Sequence, residues 1–113
     1  MADGLKRGDV VVVSIPGEYG KPRPAVVVQS DFLAGRSQGV IVCPVTSKIV
    51  EVERTRPRLQ PDGRNGLRRT SQVMSDKITT VHLRKVGSKM GSVSEQDLQK
   101  IDFSLSLVLG FLD

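Results

Sequence analysis

Short runs of β-branched residues between glycine and proline turns most constrain the fold of this chain. The run from Val10 to Ile15 is almost entirely β-branched and lies between Gly8-Asp9 and Pro16-Gly17. Such a run predicts a strand that is buried on both faces and central in its sheet. Further strands are predicted over residues 25–29, 40–45, 72–74 and 78–83, with a last one near 90–93. This pattern indicates a small, strongly bent antiparallel sheet or partly open barrel.

A single helix is predicted at the C-terminal end, over about residues 94–112. Ser94, followed by Glu95 and Asp97, is typical of a capped helix start. One apolar face is predicted to pack on the sheet, and it comprises Leu98, Ile101, Leu105, Leu109 and Leu112. A second apolar line comprises Phe103, Leu107 and Phe111. Unless the helix is wholly buried, we expect this second line to contact another chain.

The length and composition predict one domain spanning residues 1–113. With 113 residues and 38% hydrophobic content, the chain can bury one modest core. No stretch approaches the ~20 apolar residues that span a bilayer, and the N-terminus lacks the apolar run of a secretion signal. We therefore expect a cytoplasmic protein. Cys43, the only cysteine, lies in an apolar run and is predicted to be a plain buried thiol.

The net charge of +5 comes from one segment. Residues 54–69 hold six arginines against one acid, whereas the remaining chain has 11 basic and 11 acidic residues. Guanidinium groups suit bidentate phosphate contacts, so a polyanion is the natural partner. The alternative is a solvated loop that keeps the protein soluble. Prolines and glycines predict that the loop, about residues 53–69, is flexible.

The residue inventory excludes several kinds of chemistry. One histidine and one cysteine provide neither a zinc quartet nor the histidine pair of acid–base RNA cleavage. His82 is predicted to be a structural or exposed histidine, and no phosphate-binding loop motif occurs. Aromatic residues make up only 4% of the chain, which argues against base stacking on several rings. We expect no metal and no cofactor.

Three motifs, in order along the chain, resemble those of a known protein family. They are Arg7-Gly8-Asp9 followed by Val10 to Val13, then Arg23-Pro24-Ala25-Val26-Val27-Val28, and then Cys43-Pro44-Val45-Thr46-Ser47-Lys48. Lesser similarities follow in Ser75-Asp76-Lys77-Ile78 and in the capped C-terminal helix. Each motif alone is weak, but the ordered set covers nearly the whole chain. The chain resembles the MazF/PemK/Kid toxins of type II toxin–antitoxin systems.

The resemblance implies a mainly β fold, a small SH3-like barrel of the CcdB/PemK/MazF type with antiparallel strands and a C-terminal helix. It also implies a homodimer with a substrate groove across the dimer. The implied activity is metal-independent, sequence-specific cleavage of single-stranded RNA, that of an mRNA interferase. The implied catalytic residues are Arg23 and Thr46. The implied partner is a cognate antitoxin, for which we expect an acidic, disordered segment.

Elementary chemistry agrees with that assignment. Without a metal, the ribose 2′-hydroxyl attacks the adjacent phosphate. Hydrogen-bond donors must then stabilise the negative charge that develops on the phosphate oxygens. Arg23 offers a fixed fork of donors between two prolines, Thr46 can donate and accept, and Ser47 can add a donor. The general base stays open among Asp76, Glu18 and a substrate phosphate. In the plainer alternatives, Arg23 pairs with Asp9 or Glu18, and Thr46 caps a turn.

RNA contacts are expected from the first loop, the Pro-x-Thr-Ser segment and the arginine-rich segment. The candidates are Tyr19, Lys21, Lys48, Arg54, Arg56, Arg58, Arg64, Arg68 and Arg69. The chain departs from the family in its short first loop, residues 16–21, and at Met74, where Kid-like members have an implicated arginine. Arg68 or Arg69 could supply that charge.

Two other functions stay open at this point. A CcdB-like toxin binds DNA gyrase without catalysis and relies on a tryptophan near its C-terminus, but this chain has no tryptophan. A barrel-type RNA-binding module without catalysis would need only the arginine-rich loop.

Overall fold

The computed structural model describes residues 4–15, 17 and 21–112. Within these ranges, seven strands form one curled antiparallel sheet with a single α-helix packed against it. The strands are β1 (Asp9–Ser14), β2 (Pro22–Val27), β3 (Gly39–Thr46), β4 (Arg58–Leu59), β5 (Ser71–Val73), β6 (Thr79–His82) and β7 (Val86–Ser92), and the helix is α1 (Glu95–Val108). Short 3-10 turns occupy Asp31–Leu33, Ser75–Lys77 and Leu83–Lys85.

The long strand β3 causes the sheet to divide. The strand order is β4-β5-β3-β2-β1-β7, and β6 also pairs with β3. On one edge β3 pairs first with β6 and then with β5. Pro44 lies at this change of partner, and its carbonyl accepts a hydrogen bond from Met74 N–H at 2.8 Å. The missing N–H of Pro44 faces the same edge, so a continuous ladder cannot form there.

Strand β1 is buried on both faces, which confirms the prediction for this run. Val10 belongs to the core between the sheet and α1, whereas Val11 and Val13 belong to a second core on the opposite face. Successive side chains of a strand point to opposite faces, so alternate valines supply the two cores. Because β1 lies between β2 and β7, both of its edges are also paired.

The opening Arg-Gly-Asp motif ties the N-terminal segment to the helix. Arg7 forms a two-pronged ion pair with Asp102 of α1, and its Nε donates to Val28 O at 3.1 Å. Gly8 adopts a φ of 94°, which a residue with a Cβ rarely takes. The buried Asp9 carboxylate accepts from Lys6 N–H at 2.8 Å and pairs with Lys89 at 3.2 Å. The motif therefore closes a turn and anchors α1.

Helix α1 begins as predicted but ends earlier. Ser94 Oγ accepts from Asp97 N–H at 3.1 Å and caps the first turn. The helix stops at Val108 because Gly110 takes a left-handed φ of 80°. Gly110 N–H then bonds Leu107 O at 3.2 Å and Phe111 N–H bonds Ser106 O at 2.9 Å, which is a Schellman motif.

The early end divides the predicted apolar face of α1. Ile101 is fully buried, and Leu98 and Leu105 pack against the core. Leu109 and Leu112 lie beyond the helix and are about half exposed, so the prediction that they pack on the sheet is wrong. In the second apolar line, Phe103 and Phe111 are 56% and 76% exposed, and Leu107 is partly buried. No helix in the described ranges is long and apolar enough to cross a membrane.

The arginine-rich segment carries more structure than its composition indicates. It contains the short strand β4, with Leu59 fully buried, and the fully buried Asn65. Asn65 Nδ2 donates to Gln60 O at 2.8 Å, and its Oδ1 accepts from Leu67 N–H at 3.0 Å. The flexibility of this loop stays a prediction, and these anchors restrict where it can move.

Two glycines allow the arginine-rich segment to pack against β7. This contact joins the two edges of the curled sheet. Arg64 O accepts from Ser92 N–H at 2.8 Å. A Cβ on Gly91 would lie 2.0 Å from Arg64 O, and a Cβ on Gly66 would lie 2.4 Å from Met90 O. The contact is therefore made by backbone atoms that only glycine allows to approach.

We expect Gly91→Ala to lower the free energy of unfolding by about 2 kcal/mol, because the backbone of the arginine-rich segment must move away from β7. Urea denaturation followed by circular dichroism measures the change. The matched control is Gly4→Ala, since a Cβ at Gly4 would meet nothing within 4 Å. Equal midpoints for the two variants would contradict the contact.

Candidate active site

The ends of β2 and β3 bring Arg23 and Thr46 together. The register of these strands pairs Val27 with Val42, Val26 with Cys43 and Ala25 with Pro44. Two further steps along the same register set Arg23 opposite Thr46. Residues that face each other across an antiparallel pair point to the same side, with Cβ atoms about 5 Å apart.

Both side chains line a cleft of about 650 Å³, which we call the main cleft. Its apolar wall is formed by Pro24, Val45, Leu67 and Met90, and its polar part by Ser47, Ser71, Arg68 and Arg69. An apolar concave surface with a few convergent polar groups is typical of a ligand site. The two arginines add positive charge, which favours an anionic ligand.

Arg23 and Thr46 also line a smaller cleft of about 260 Å³, which we call the side cleft. Its other lining residues are Lys48, Val50, Arg56, Met74 and Lys77. Arg23 and Thr46 therefore stand on the boundary between two clefts, each of which has its own cations. Among the described residues, neither Lys48 nor Lys77 has an acidic partner. A phosphate placed at this boundary would have positive charge on both sides.

Thr46 caps a turn, as in the plainer alternative drawn from the sequence. This cap leaves the hydroxyl proton of Thr46 available as a hydrogen-bond donor. Its Oγ1 accepts from Lys48 N–H at 3.1 Å. A hydroxyl has one proton and two lone pairs, so one lone pair is used here. Within the described ranges, no group accepts the Thr46 proton. The cap therefore holds a donor in a fixed position at the mouth of both clefts.

Arg23 is held in β2 between Pro22 and Pro24, whose neighbours in β1 are Ser14 and Val12. Its side chain is partly buried. The fixed φ angles of the two prolines limit the backbone freedom on each side of the guanidinium. Glu18, one of its two possible partners from the sequence, lies outside the described residues, as does Tyr19.

Asp76 holds Arg56 rather than lining a cleft. Arg56 Nε and Nη2 donate to the two Asp76 carboxylate oxygens at 2.9 and 3.1 Å. The hydrogen bonds from Arg56 hold the pKa of Asp76 below its usual value. A carboxylate with a lowered pKa is a weaker base. Asp76 is therefore placed to position Arg56 in the side cleft and is poorly suited to accept a proton.

The predicted RNA-contacting residues do not form one surface. Arg68 and Arg69 line the main cleft, and Lys48 and Arg56 line the side cleft. Arg54 and Arg58 line a separate groove beside α1, together with Lys100 and Phe103. Lys21 and Arg64 are exposed and line none of these three clefts.

The structure adds lining residues that the sequence reasoning missed. Lys77 lines the side cleft beside Met74, the position where Kid-like relatives carry an arginine. Besides Arg23, Arg56 lines the same cleft as Met74, whereas Arg68 and Arg69 line the main cleft. The only sequence signal for Lys77 was its place next to Asp76 in a family-like motif.

Cys43 and His82 have structural roles. Cys43 is fully buried, and burial raises the pKa of its thiol to about 12, which confirms the predicted inert thiol. His82 is exposed, and its Nδ1 accepts from Arg84 N–H at 3.1 Å, which caps the Leu83–Lys85 turn. No group of three or more metal-ligating side chains occurs among the residues described here.

The Arg56–Asp76 pair predicts a pH-dependent coupling. The pKa of Asp76 is lower in the folded protein than its unfolded value of about 3.9. The pair therefore stabilises the fold fully at pH values above about 3.9, and this stabilisation is lost as the pH falls through the folded-state pKa. Asp76 is 40% exposed, so we expect a coupling of only about 0.5 kcal/mol at pH 7. A double-mutant cycle with Arg56→Gln and Asp76→Asn, by urea denaturation at pH 7 and pH 3, measures it. A coupling that is unchanged at pH 3 would contradict the pairing.

The chain matches a family model over residues 6–109, and that model describes the PemK-like, MazF-like toxins of type II toxin–antitoxin systems. The curled β-sheet with its C-terminal helix is therefore the fold of a small toxin of such a system. The chain belongs to the PemK-like, MazF-like toxin family.

Individual relatives agree with this assignment. The probable endoribonuclease MazF of Mycolicibacterium smegmatis (strain ATCC 700084 / mc(2)155) is 33% identical over 107 residues, which are 94% of this chain and 97% of the relative. Among solved structures, an endoribonuclease in complex with its cognate antitoxin from Mycobacterial species has a TM-score of 0.82 at 22% identity, covering 95% of this chain and 96% of that one. The Mycobacterium tuberculosis toxin MazF-mt6 has a TM-score of 0.78 at 17% identity, covering 90% and 96%. These structural matches confirm the predicted fold class, a small antiparallel barrel of the MazF type with a C-terminal helix, and the sheet is curled into a half-barrel.

Proposed function

We propose that this chain is the toxin of a type II toxin–antitoxin system and an endoribonuclease that cleaves single-stranded RNA at specific sequences without a metal ion. The observation that carries the proposal is the position of Arg23 and Thr46 on the boundary of two basic clefts. Family membership supports it, as does the 33% identity to a protein named probable endoribonuclease.

In the proposed reaction, the scissile phosphate lies against Arg23 and Thr46. The 2′-oxygen forms a bond to phosphorus while the bond from phosphorus to the 5′-oxygen breaks, and the products carry a 2′,3′-cyclic phosphate and a 5′-hydroxyl. Arg23 donates two N–H groups to the phosphate oxygens as their negative charge increases. Thr46 donates its free proton to the same group, and Ser47 lies beside it in the main cleft.

The proton of the 2′-hydroxyl needs an acceptor, and another proton must reach the departing 5′-oxygen. Asp76 is a poor acceptor because Arg56 occupies both carboxylate oxygens and lowers its pKa. Glu18 and an oxygen of the substrate phosphate are the remaining candidates. We propose that the main cleft, with Leu67 and Met90 on its apolar wall and Arg68 and Arg69 at its edge, reads the bases beside the cut.

The proposed partners follow from charge and exposed apolar surface. We propose a cytoplasmic homodimer in which the exposed Phe103 and Phe111 contact the second copy. The cognate antitoxin carries an acidic, disordered segment that covers the arginine-lined surface, as the net charge of +5 favours. A solved structure with the same fold is described as an endoribonuclease in complex with its cognate antitoxin.

The test is incubation of the purified protein with a long RNA in the presence of a chelator, followed by sequencing of the 5′ ends of the fragments. We expect cleavage at a short recurring sequence and fragments that end in a cyclic phosphate. If the protein binds RNA but leaves it intact, the protein is an RNA-binding module without catalysis. Intact, unbound RNA together with gyrase inhibition would favour a CcdB-like toxin.

A further inference from the structure

A fourth basic cleft lies beside the main cleft and has no role in the function proposed above. Its volume is about 370 Å³, and we call it the distal cleft. Its lining residues are Val12, Ser14, Pro22, Arg84, Lys85, Val86 and Gly87. The two cations belong to the short turn Leu83–Lys85, which connects β6 to β7.

The distal cleft continues the main cleft across the end of the sheet. In the β1–β2 register, Val12 faces Pro24 and Ser14 faces Pro22, so these four residues lie on the same side of the two strands. Pro24 lines the main cleft, whereas Val12 and Pro22 line the distal cleft. The two linings therefore meet at the Val12–Pro24 pair, and one extended ligand can occupy both.

The charge of the distal cleft selects an anionic ligand. Arg84 and Lys85 are exposed, and neither forms an ion pair with an acidic residue in the described part of the chain. Among the residues that the structure describes, none of those lining the distal cleft is acidic. His82 Nδ1 accepts from Arg84 N–H, and Val86 N–H bonds Leu83 O, so the backbone that carries both cations is held at each end.

We infer that the distal cleft binds the backbone phosphates of the same RNA strand, on one side of the cut. This inference rests on the proposed function and extends it to the length of the substrate. The strand would pass from Arg23 and Thr46 through the main cleft, past Pro24, to Arg84 and Lys85 in the distal cleft.

The dimensions of the sheet set the reach of this site. Thr46 lies on β3, and the register continues through Arg23 on β2 and Val13 on β1 to Val86 on β7. Three strand spacings of about 4.8 Å amount to about 14 Å. A stacked strand rises about 3.4 Å per nucleotide, so the distal cleft contacts phosphates within about four nucleotides of the cut.

The experiment measures RNA binding by the double variant Arg84→Gln/Lys85→Gln in a Thr46→Ala background, which keeps the RNA intact. The RNA is centred on the mapped cleavage site and carries about six nucleotides on each side, beyond the expected reach. Two shorter RNAs are trimmed to about one nucleotide on one side or the other. Lys6→Gln/Arg36→Gln in the same background changes the net charge equally and lies outside all the clefts described.

For the full-length RNA, we expect the distal-cleft variant to bind about tenfold more weakly, and the slope of log affinity against log salt to fall by about 1.4, for two lost phosphate contacts. For one of the two trimmed RNAs, we expect no difference from the background protein. The control variant should bind all three RNAs as the background protein does.

Three results would overturn the inference. The distal-cleft variant could lose affinity equally for both trimmed RNAs, it could lose none for the full-length RNA, or the control variant could lose as much affinity as the distal-cleft variant. Failure of the proposed function has a separate signature, because the wild-type protein would then leave every RNA intact. In that case, binding of an RNA of mixed sequence by the distal-cleft variant, compared with the control variant, still decides whether the distal cleft holds a strand.

Discussion

Arg23→Ala is expected to lower kcat/KM for RNA cleavage at least about a hundredfold, a loss of about 2.7 kcal/mol of transition-state stabilisation. The negative charge on the phosphate oxygens rises as the 2′-oxygen attacks, so donors at this point stabilise the transition state more than the bound RNA. Among the arginines in the described part of the chain, Arg23 alone lines both the main cleft and the side cleft. Its loss removes the guanidinium from the boundary where the phosphate is placed.

Arg23→Lys separates the shape of the guanidinium from its charge. Lysine keeps the positive charge but presents no planar fork, so we expect it to recover only part of the lost activity. The melting temperature and the oligomeric state of both variants should match those of the wild type, because Arg23 belongs to neither hydrophobic core. An Arg23→Ala protein with full activity would remove this residue from the mechanism.

Thr46→Val is expected to lower kcat about a hundredfold while it costs only about 1 kcal/mol of folding free energy. Valine keeps the shape of threonine but loses both the acceptor for Lys48 N–H and the hydroxyl proton that the mechanism uses. The loss of the turn cap accounts for the small change in stability. The loss of the donor accounts for the large change in rate.

Thr46→Ser is the matched control, since serine keeps the hydroxyl and can still accept from Lys48 N–H. We expect this variant to retain most of the activity and most of the stability. If Thr46 only capped a turn, Thr46→Val would lose stability but keep its turnover rate. Measuring kcat by RNA fragment analysis and stability by urea denaturation on the same preparations distinguishes the two roles.

The sequence predicted the strands that contain runs of β-branched residues, and β1 is the clearest example. The short strand β4 was missed because Arg58 and Leu59 lie between prolines and glycines that indicate a loop, while the burial of Leu59 depends on residues distant in sequence. Strand β7 was predicted only near its end, since Gly87, Ser88 and Lys89 are not typical strand residues. The helix was predicted to reach about residue 112, because the apolar spacing continues to Leu112, but the left-handed backbone of Gly110 ends it at Val108.

The candidate site was predictable only in part. Arg23 and Thr46 each follow from a motif, and their meeting depends on the β2–β3 register, which the motifs do not specify. The ion pair between Arg56 and Asp76 joins residues 20 positions apart, and no local pattern indicates it. The charge count placed the excess positive charge in one segment, residues 54–69, but the curl of the sheet distributes the arginines of this segment over several clefts.

The arginine-rich segment rests on β7 through backbone atoms of Arg64 and Gly66 against Met90 to Ser92. The identity of the outward side chains in this segment therefore contributes little to holding it in place. Mutation can exchange Arg68 and Arg69 for other residues and leave the barrel intact, provided that the two glycines stay. If the main cleft reads the bases as proposed, changes in recognition are separated from the risk of unfolding, and a family built this way can acquire new target sequences quickly.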